Sequence, residues 1–258
     1  MKRNIVMAML LILTSGCTTA RLVKRTPYTG NTIYAAFGDC ISEGAGADPL
    51  SNCFASLTTD YLNKLHPTIT LVKYGEGGST TQSYVTYLPI FLSKLPATNP
   101  QPLARATLLI GLNDLLTIYD GCDSCTSNGP YDRGLRSVTY YKKEIQSLID
   151  DVMKYNPNCN LVLCTVPDPS NDGKGTFGPF KPAGLIKEFN KKIHELGDAN
   201  GLPVADLYKV MMGHPEWFVN GDIHPNTDGH AVMAWVIESA FEPDTKIPMP
   251  AVMLKAKK

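Results

Sequence analysis

The stretch Thr32-Ile33-Tyr34-Ala35-Ala36-Phe37-Gly38-Asp39-Cys40-Ile41-Ser42-Glu43-Gly44 carries the reading of the fold. Its first six residues form a short, largely apolar run that ends at Gly38, which predicts a buried strand followed by a turn. The same grammar repeats outward from it. Leu50, Phe54, Leu57, Tyr61, Leu62 and Leu65 recur at helical spacing and predict an amphipathic helix over 51–65. Residues 68–72 and 106–110 read as the second and third strands. Val138, Tyr141, Ile145, Leu148, Ile149 and Val152 mark a long helix with Ser137 as its cap. A fourth strand at 161–166 precedes a helix carrying Leu185, Ile186, Phe189, Ile193 and Leu196, closed by Gly201. A fifth strand at 204–207 and a terminal helix at 228–241 complete the order. Strands alternating with helices predict one α/β domain, a parallel five-stranded sheet in a three-layer α/β/α sandwich. Its ligand site is expected at the carboxyl ends of the strands.

Composition narrows the function. A chain of 258 residues can bury a sizeable core and needs at most two domains. Its 24 basic side chains balance 24 acidic ones, so it lacks the positive field that binding to nucleic acid backbones requires. Charged residues are 19%, too few for a disordered polyelectrolyte. Glycines and prolines are spread along the chain, with no internal repeat.

The segments after the strands hold the chemistry. After the first comes Gly38-Asp39-Cys40-Ile41-Ser42; after the second, Gly75-Glu76-Gly77-Gly78-Ser79. Ile110-Gly111-Leu112-Asn113-Asp114 follows the third, and Asn220-Gly221-Asp222-Ile223-His224-Pro225-Asn226 the fifth. These four blocks, in this order and on these elements, resemble the SGNH (GDSL-type) esterase/lipase family across about 31–242. Each block alone is weak; four in order are a strong signal. The resemblance implies a flavodoxin-like fold and hydrolysis of carboxylic esters through an acyl-enzyme, without metal or cofactor. It places the nucleophile at Cys40, the base at His224, and the oxyanion hole at Cys40, Gly78 and Asn113. The chemistry agrees, because acyl transfer needs a nucleophile on an exposed strand-to-helix turn, a base, and donors aimed at the developing oxyanion.

Two positions depart from the family pattern. The family has Ser where this chain has Cys40. A natural Cys nucleophile, an engineered substitution and a Cys held in a disulfide, with Cys53 nearest in sequence, are the three explanations. The family also puts Asp three residues before the His, where this chain has Gly221. Asp222 is our choice for the acid, over a backbone carbonyl near Gly221, because an orienting acceptor fixes the imidazole tautomer.

The N-terminus points to export. Lys2 and Arg3 precede an apolar run over 5–13, of signal-peptide rather than transmembrane length. Thr14-Ser15-Gly16-Cys17 then resembles the lipobox of bacterial lipoproteins, with Thr14 where Leu is usual. The expected organisation is a signal peptide at 1–16, a lipid anchor at Cys17 with a polar tether to residue 30, and the hydrolase domain at 31–258. That implies lipid attachment at the cell envelope, on the periplasmic face of the outer membrane; the esterase/lipase resemblance implies a small acyl ester or lipid as substrate. Removing residues 1–16 takes two positive charges and leaves a slightly acidic chain. The six further cysteines, Cys40, Cys53, Cys122, Cys125, Cys159 and Cys164, are an even set that suits an oxidising compartment. Cys122-Asp-Ser-Cys125 falls in a Gly/Asp/Ser-rich stretch that reads as loop, which argues for a loop disulfide over a redox motif or zinc site.

The remaining candidates read as structural. His66 and His194 are expected in solvent, His214 in a loop, and His230 in the first turn of the terminal helix. Asp39 is expected to hold its turn and Asp114 to be structural. Asp168-Pro-Ser-Asn-Asp172-Gly173 lacks a calcium loop's bidentate Glu. Loops 115–135 and 167–182, with Tyr119, Tyr131, Phe177 and Phe180, flank the strand ends and are candidates for an acyl or alcohol pocket. The alternative to an esterase is a catalytically weak binding lipoprotein, with Cys40 in a disulfide.

Overall fold

Five parallel strands form one sheet in the order β2-β1-β3-β4-β5. They are β1 (Thr32–Gly38), β2 (Ile69–Gly75), β3 (Leu103–Leu109), β4 (Asn160–Cys164) and β5 (Val204–Ala205). The computed structural model describes residues 31–66, 68–98, 102–119, 135–170 and 183–255. The expected signal peptide, Cys17 and the tether, Cys122 and Cys125, and Tyr131, Phe177 and Phe180 lie outside the described residues. Among the described residues no helix is long and apolar enough to cross a membrane.

Nine helices among the described residues connect and cover the strands: α1 (Cys40–Glu43), α2 (Phe54–Leu65), α3 (Thr81–Ser93), α4 (Leu112–Tyr119), α5 (Leu135–Tyr155), α6 (Ala183–Asn200), α7 (Leu207–Met211), α8 (Thr227–Phe241) and α9 (Ala251–Lys255). Helix α2 packs on α8, while α3 packs on α5 and α5 on α6, so two helical layers enclose the sheet. The inner strands are apolar on both faces, as a sheet covered on both sides requires. Tyr34, Phe37, Leu103, Leu108, Leu161 and Leu163 are all buried, against Leu62 of α2, Leu148 of α5, Phe189 of α6 and Ile237 of α8. Burial of each large apolar side chain contributes roughly 1.5–3 kcal/mol.

The strand order places the site. The chain leaves β1 to one side to form β2, then crosses back over β1 to form β3. The direction of winding therefore reverses between β1 and β3, where open α/β sheets bind ligands. Gly38 pairs in register with Gly75 on one side and Leu109 on the other, so the three strands end level. The segments carrying Cys40, Gly78 and Asn113 leave from that common edge.

Several elements differ from the expectation. The helix expected over 51–65 breaks at Cys53, with a 3-10 turn at Leu50–Asn52 ahead of α2. The fifth strand ends at Ala205, because the Asp206 side chain accepts from the Lys209 N–H and caps α7. Helices α3 and α4 were not foreseen, and α4 takes residues 115–119 from the segment expected to be loop.

Candidate active site

Gly38 makes the turn that carries Cys40 possible. It sits at φ +146°, and a Cβ there would stand 1.8 Å from the Leu109 carbonyl oxygen, so only glycine lets β1 and β3 abut while the chain turns. Asp39 then caps α1, its Oδ1 accepting from the Ile41 N–H at 3.0 Å. Cys40 takes the first position of this one-turn helix and is half-buried. Ser42, two residues on, is buried and donates to the Phe37 carbonyl at 3.1 Å, holding the turn.

The block after the fifth strand brings His224 to that turn. Its loop is closed by the Val219 N–H donating to the His224 carbonyl at 2.9 Å and by a bridge between Phe218 and Pro225. His224 Nε2 lies 3.1 Å from Cys40 Sγ, and His224 Nδ1 lies 2.9 Å from Asp222 Oδ1. The Ile223 N–H donates to the same carboxylate oxygen at 2.6 Å. Because an ionised carboxylate only accepts, Nδ1 carries the proton and Nε2 faces the thiol as an acceptor. The transposition of Gly221 and Asp222 therefore leaves the Asp222 carboxylate in reach of the ring.

The other two blocks are tied to each other. Asn113, in the first turn of α4, donates through Nδ2 to the Ser79 carbonyl at 3.1 Å. Its amide has two hydrogens, so that bond leaves a second donor. The buried Asp114 accepts from the Thr81 N–H at 3.0 Å and from Thr81 Oγ1 at 2.6 Å, pinning the starts of α3 and α4 together. The backbone N–H groups of Gly78, Cys40 and Ile41 act on the Cys40 sulfur and favour its anionic form.

Burial nevertheless dominates the thiol. Desolvation, helped by the charge of Asp39, pushes Cys40 up to about 11 against those three amides. Asp39 is itself pushed up to about 7 by burial, with the Ile41 N–H opposing and Asp114 adding repulsion. Burial also acts upward on Asp222. There the hydrogen bonds from His224 and the Ile223 amide prevail, and the carboxyl falls below its ordinary value. The thiol is thereby held protonated, facing Nε2 of His224.

A Cys40–Cys53 bridge is not formed. Both are free thiols, and Cys53 Sγ is engaged with Ser56 Oγ at 3.3 Å. The premise of the binding-protein alternative, Cys40 in a disulfide, is therefore absent. His66 and His194 stay at the surface beside Glu242 (3.0 Å) and Asp206 (3.4 Å). His214 stacks on Trp217 at 3.8 Å. His230 is on α8 as expected, but it is fully buried and doubly hydrogen-bonded, which its local sequence did not signal.

The five-stranded parallel sheet, with Cys40 and His224 brought together at its switch point, is the α/β fold of the SGNH (GDSL-type) hydrolases. The chain belongs to the GDSL-like lipase/acylhydrolase family, whose model matches residues 36–232. Solved structures agree on the fold. A lipase/acylhydrolase from Enterococcus faecalis is 21% identical, with a TM-score of 0.60 over 85% of this chain and 100% of that one. A member of the lipolytic G-D-S-L family from Veillonella parvula is 18% identical, with a TM-score of 0.60 over 81% and 98%. A variant of an acetyl xylan esterase from Geobacillus stearothermophilus is 17% identical, with a TM-score of 0.59 over 86% and 98%. No curated protein matches the chain.

Proposed function

We propose that the protein hydrolyses carboxylic esters through an acyl-enzyme formed on Cys40. The observation that carries this reading is the linear contact series from Cys40 Sγ through the two nitrogens of His224 to Asp222, at 3.1 and 2.9 Å. Because the thiol is held protonated, His224 acts as a general base within the attack and not as the cation of a standing ion pair. Nε2 takes the thiol proton as Sγ bonds to the ester carbonyl carbon. The resulting oxyanion accepts from the Cys40 and Gly78 N–H groups and the second Asn113 amide hydrogen. Collapse breaks the ester C–O bond, His224 returns the proton to the leaving alkoxide, and a thioester remains. Water, deprotonated by His224, attacks that thioester and releases the acid; the proton goes back to sulfur. Asp222 holds the Nδ1 proton in place, so Nε2 is the nitrogen that takes and returns the proton in both steps.

The proposed substrates are small acyl esters or lipids. Family membership and the solved esterase and lipase structures support ester hydrolysis in general. The proposed setting is the bacterial cell envelope, with the domain tethered by a lipid on Cys17. The charged start, apolar run and Cys17 support this reading. Cys17→Ala should then release the protein from membranes or leave a larger precursor; unchanged membrane partition and mass would refute the anchor.

The test of function is turnover of short p-nitrophenyl esters. His224→Ala should lose roughly 10²–10⁴-fold in kcat, the usual contribution of a general base. His66→Ala, His194→Ala and His214→Ala should keep it. Equal activity in His224→Ala would refute the assignment.

A further inference from the structure

We infer that His230, outside the catalytic series, is a positioning residue that sets the distance between Cys40 and His224. The inference rests on the Cys40–His224 pairing proposed above. Its basis is the segment 44–54, which leaves the nucleophile helix α1 and leads into α2. His230, fully buried on α8, clamps both ends of this segment. Its Nδ1 accepts from the Phe54 N–H at 3.2 Å, so its proton sits on Nε2, which donates to the Ala45 carbonyl at 2.9 Å. The ring also lies nearly parallel to Phe54, 11° from coplanar with centroids 6.1 Å apart. One imidazole thus fixes two backbone positions nine residues apart, and it does so from the helix that begins three residues after His224.

A second clamp closes the same segment. Thr227 Oγ1, at the start of α8, meets both the N–H and the carbonyl of Asp48 at 3.0 Å. Between the clamps Gly46 presses its backbone on the catalytic loop. A Cβ there would stand 2.0 Å from the Pro225 carbonyl oxygen and 3.0 Å from His224 Cβ, at a φ of +93° that also calls for glycine. The backbone behind the nucleophile is therefore wedged against the backbone of the base. Ala45 is joined directly to α1, since its N–H donates to the Cys40 carbonyl at 2.9 Å. The path from Cys40 through Ala45 to His230 and back along α8 to His224 is short, covalent or hydrogen-bonded at each step. The hydrogen bonds of His230 go to Phe54 and Ala45 rather than to Cys40 or His224, and burial holds its ring uncharged, so it serves through shape and two hydrogen bonds.

The test reads the pair directly, by mapping alkylation of Cys40 with iodoacetamide at pH 7 and by kcat and KM on a short ester. His224→Ala supplies the reference for a lost base, with alkylation expected to slow by about tenfold or more. His230→Phe keeps the ring and removes both hydrogen bonds, and its alkylation rate should fall toward that reference although His224 is intact. Its kcat should drop by about tenfold with KM within about threefold, since the loss falls on the transition state and not on substrate binding. His230→Asn, which keeps an acceptor for Phe54, and His230→Gln, which keeps a donor for Ala45, should lie between. Should His230→Phe fail to fold, Thr227→Val cuts the other clamp and should move the same two readouts. Folded His230 and Thr227 variants with the wild-type alkylation rate and kcat would overturn the inference, as would alkylation indifferent to His224→Ala. A wild type that turns over no ester would refute the hydrolase reading alone, and the alkylation comparison would still decide this one.

Discussion

Asp222 Oδ1 lies 2.9 Å from His224 Nδ1 although a single residue separates the two in sequence. The side chain of Asp222 is 46% exposed and that of His224 21%, so the acid sits on the wet side of the ring. Asp222→Asn keeps the shape but offers an amide, which favours the wrong tautomer. We expect kcat to fall by roughly 10²–10⁴-fold, the upper end belonging to buried carboxylates and the lower to an exposed one such as this. An Asp222→Asn enzyme with wild-type kcat would hand the orienting role to the backbone.

The thiol should titrate as a buried acid. Burial pushes Cys40 up to about 11, so the thiolate fraction grows as pH rises toward that value. Measured in His224→Ala, where no base assists, Cys40 alkylation should be slow at pH 7 and climb steadily to at least pH 10. Rapid, pH-independent alkylation from pH 5 upward in the wild type would instead reveal a thiolate–imidazolium pair.

His230 should make the fold sensitive to acid. Burial lowers its folded-state value to about 4, against the upward pull of Ala45, with the charges of His224 and Lys73 adding to the lowering. Its ordinary value is about 6.5, so between those two values the unfolded chain binds the proton and the folded one does not. The stability His230 contributes is thus complete above about pH 6.5 and is lost as pH falls toward 4, by about 3 kcal/mol in all. Urea midpoints should fall over that window, and less steeply in His230→Gln. Parallel wild-type and His230→Gln curves would show that His230 does not carry the dependence.

The legible parts of this fold share a cause. Strands β1, β3 and β4 are apolar runs in the sequence because both their faces are buried, and α2, α5, α6 and α8 show their apolar stripes. Helix α3 escaped because its sequence is rich in aromatic and β-branched residues and holds Pro89. Its usable signals were Thr80 with Ser83 as a reciprocal cap, and Tyr84, Leu88 and Leu92 four apart. Helix α4 is too short for periodicity to show. At the site, Cys40, Gly78, Asn113, Asp222 and His224 follow strand ends or precede a helix in recognisable blocks, so the contacts of His224 with Cys40 and Asp222 were foreseeable. His230 was not, because both its partners, Ala45 and Phe54, lie more than 170 residues away.

Gly78, Asn113 and His224 suit an oxygen adduct better than a sulfur one, and this bears on Cys40→Ser. The longer C–S bond displaces the oxyanion relative to its donors, and a well-placed donor contributes roughly 3–4 kcal/mol. Cys40→Ser should therefore fold normally and raise kcat/KM on oxygen esters. A Cys40→Ser enzyme far below the Cys form would mean a site adapted to sulfur.

The most direct measurement is the fate of residue 40 during turnover. Wild type, Cys40→Ser and Cys40→Ala are mixed with p-nitrophenyl acetate under reducing conditions, quenched in acid and mapped by peptide mass. Acyl transfer through residue 40 predicts an acetyl group on Cys40 in the wild type, cleaved by hydroxylamine as a thioester, an acetyl ester on the introduced hydroxyl, and neither adduct nor turnover in Cys40→Ala. Turnover that survives in Cys40→Ala, with the acetyl group elsewhere or nowhere, would contradict it.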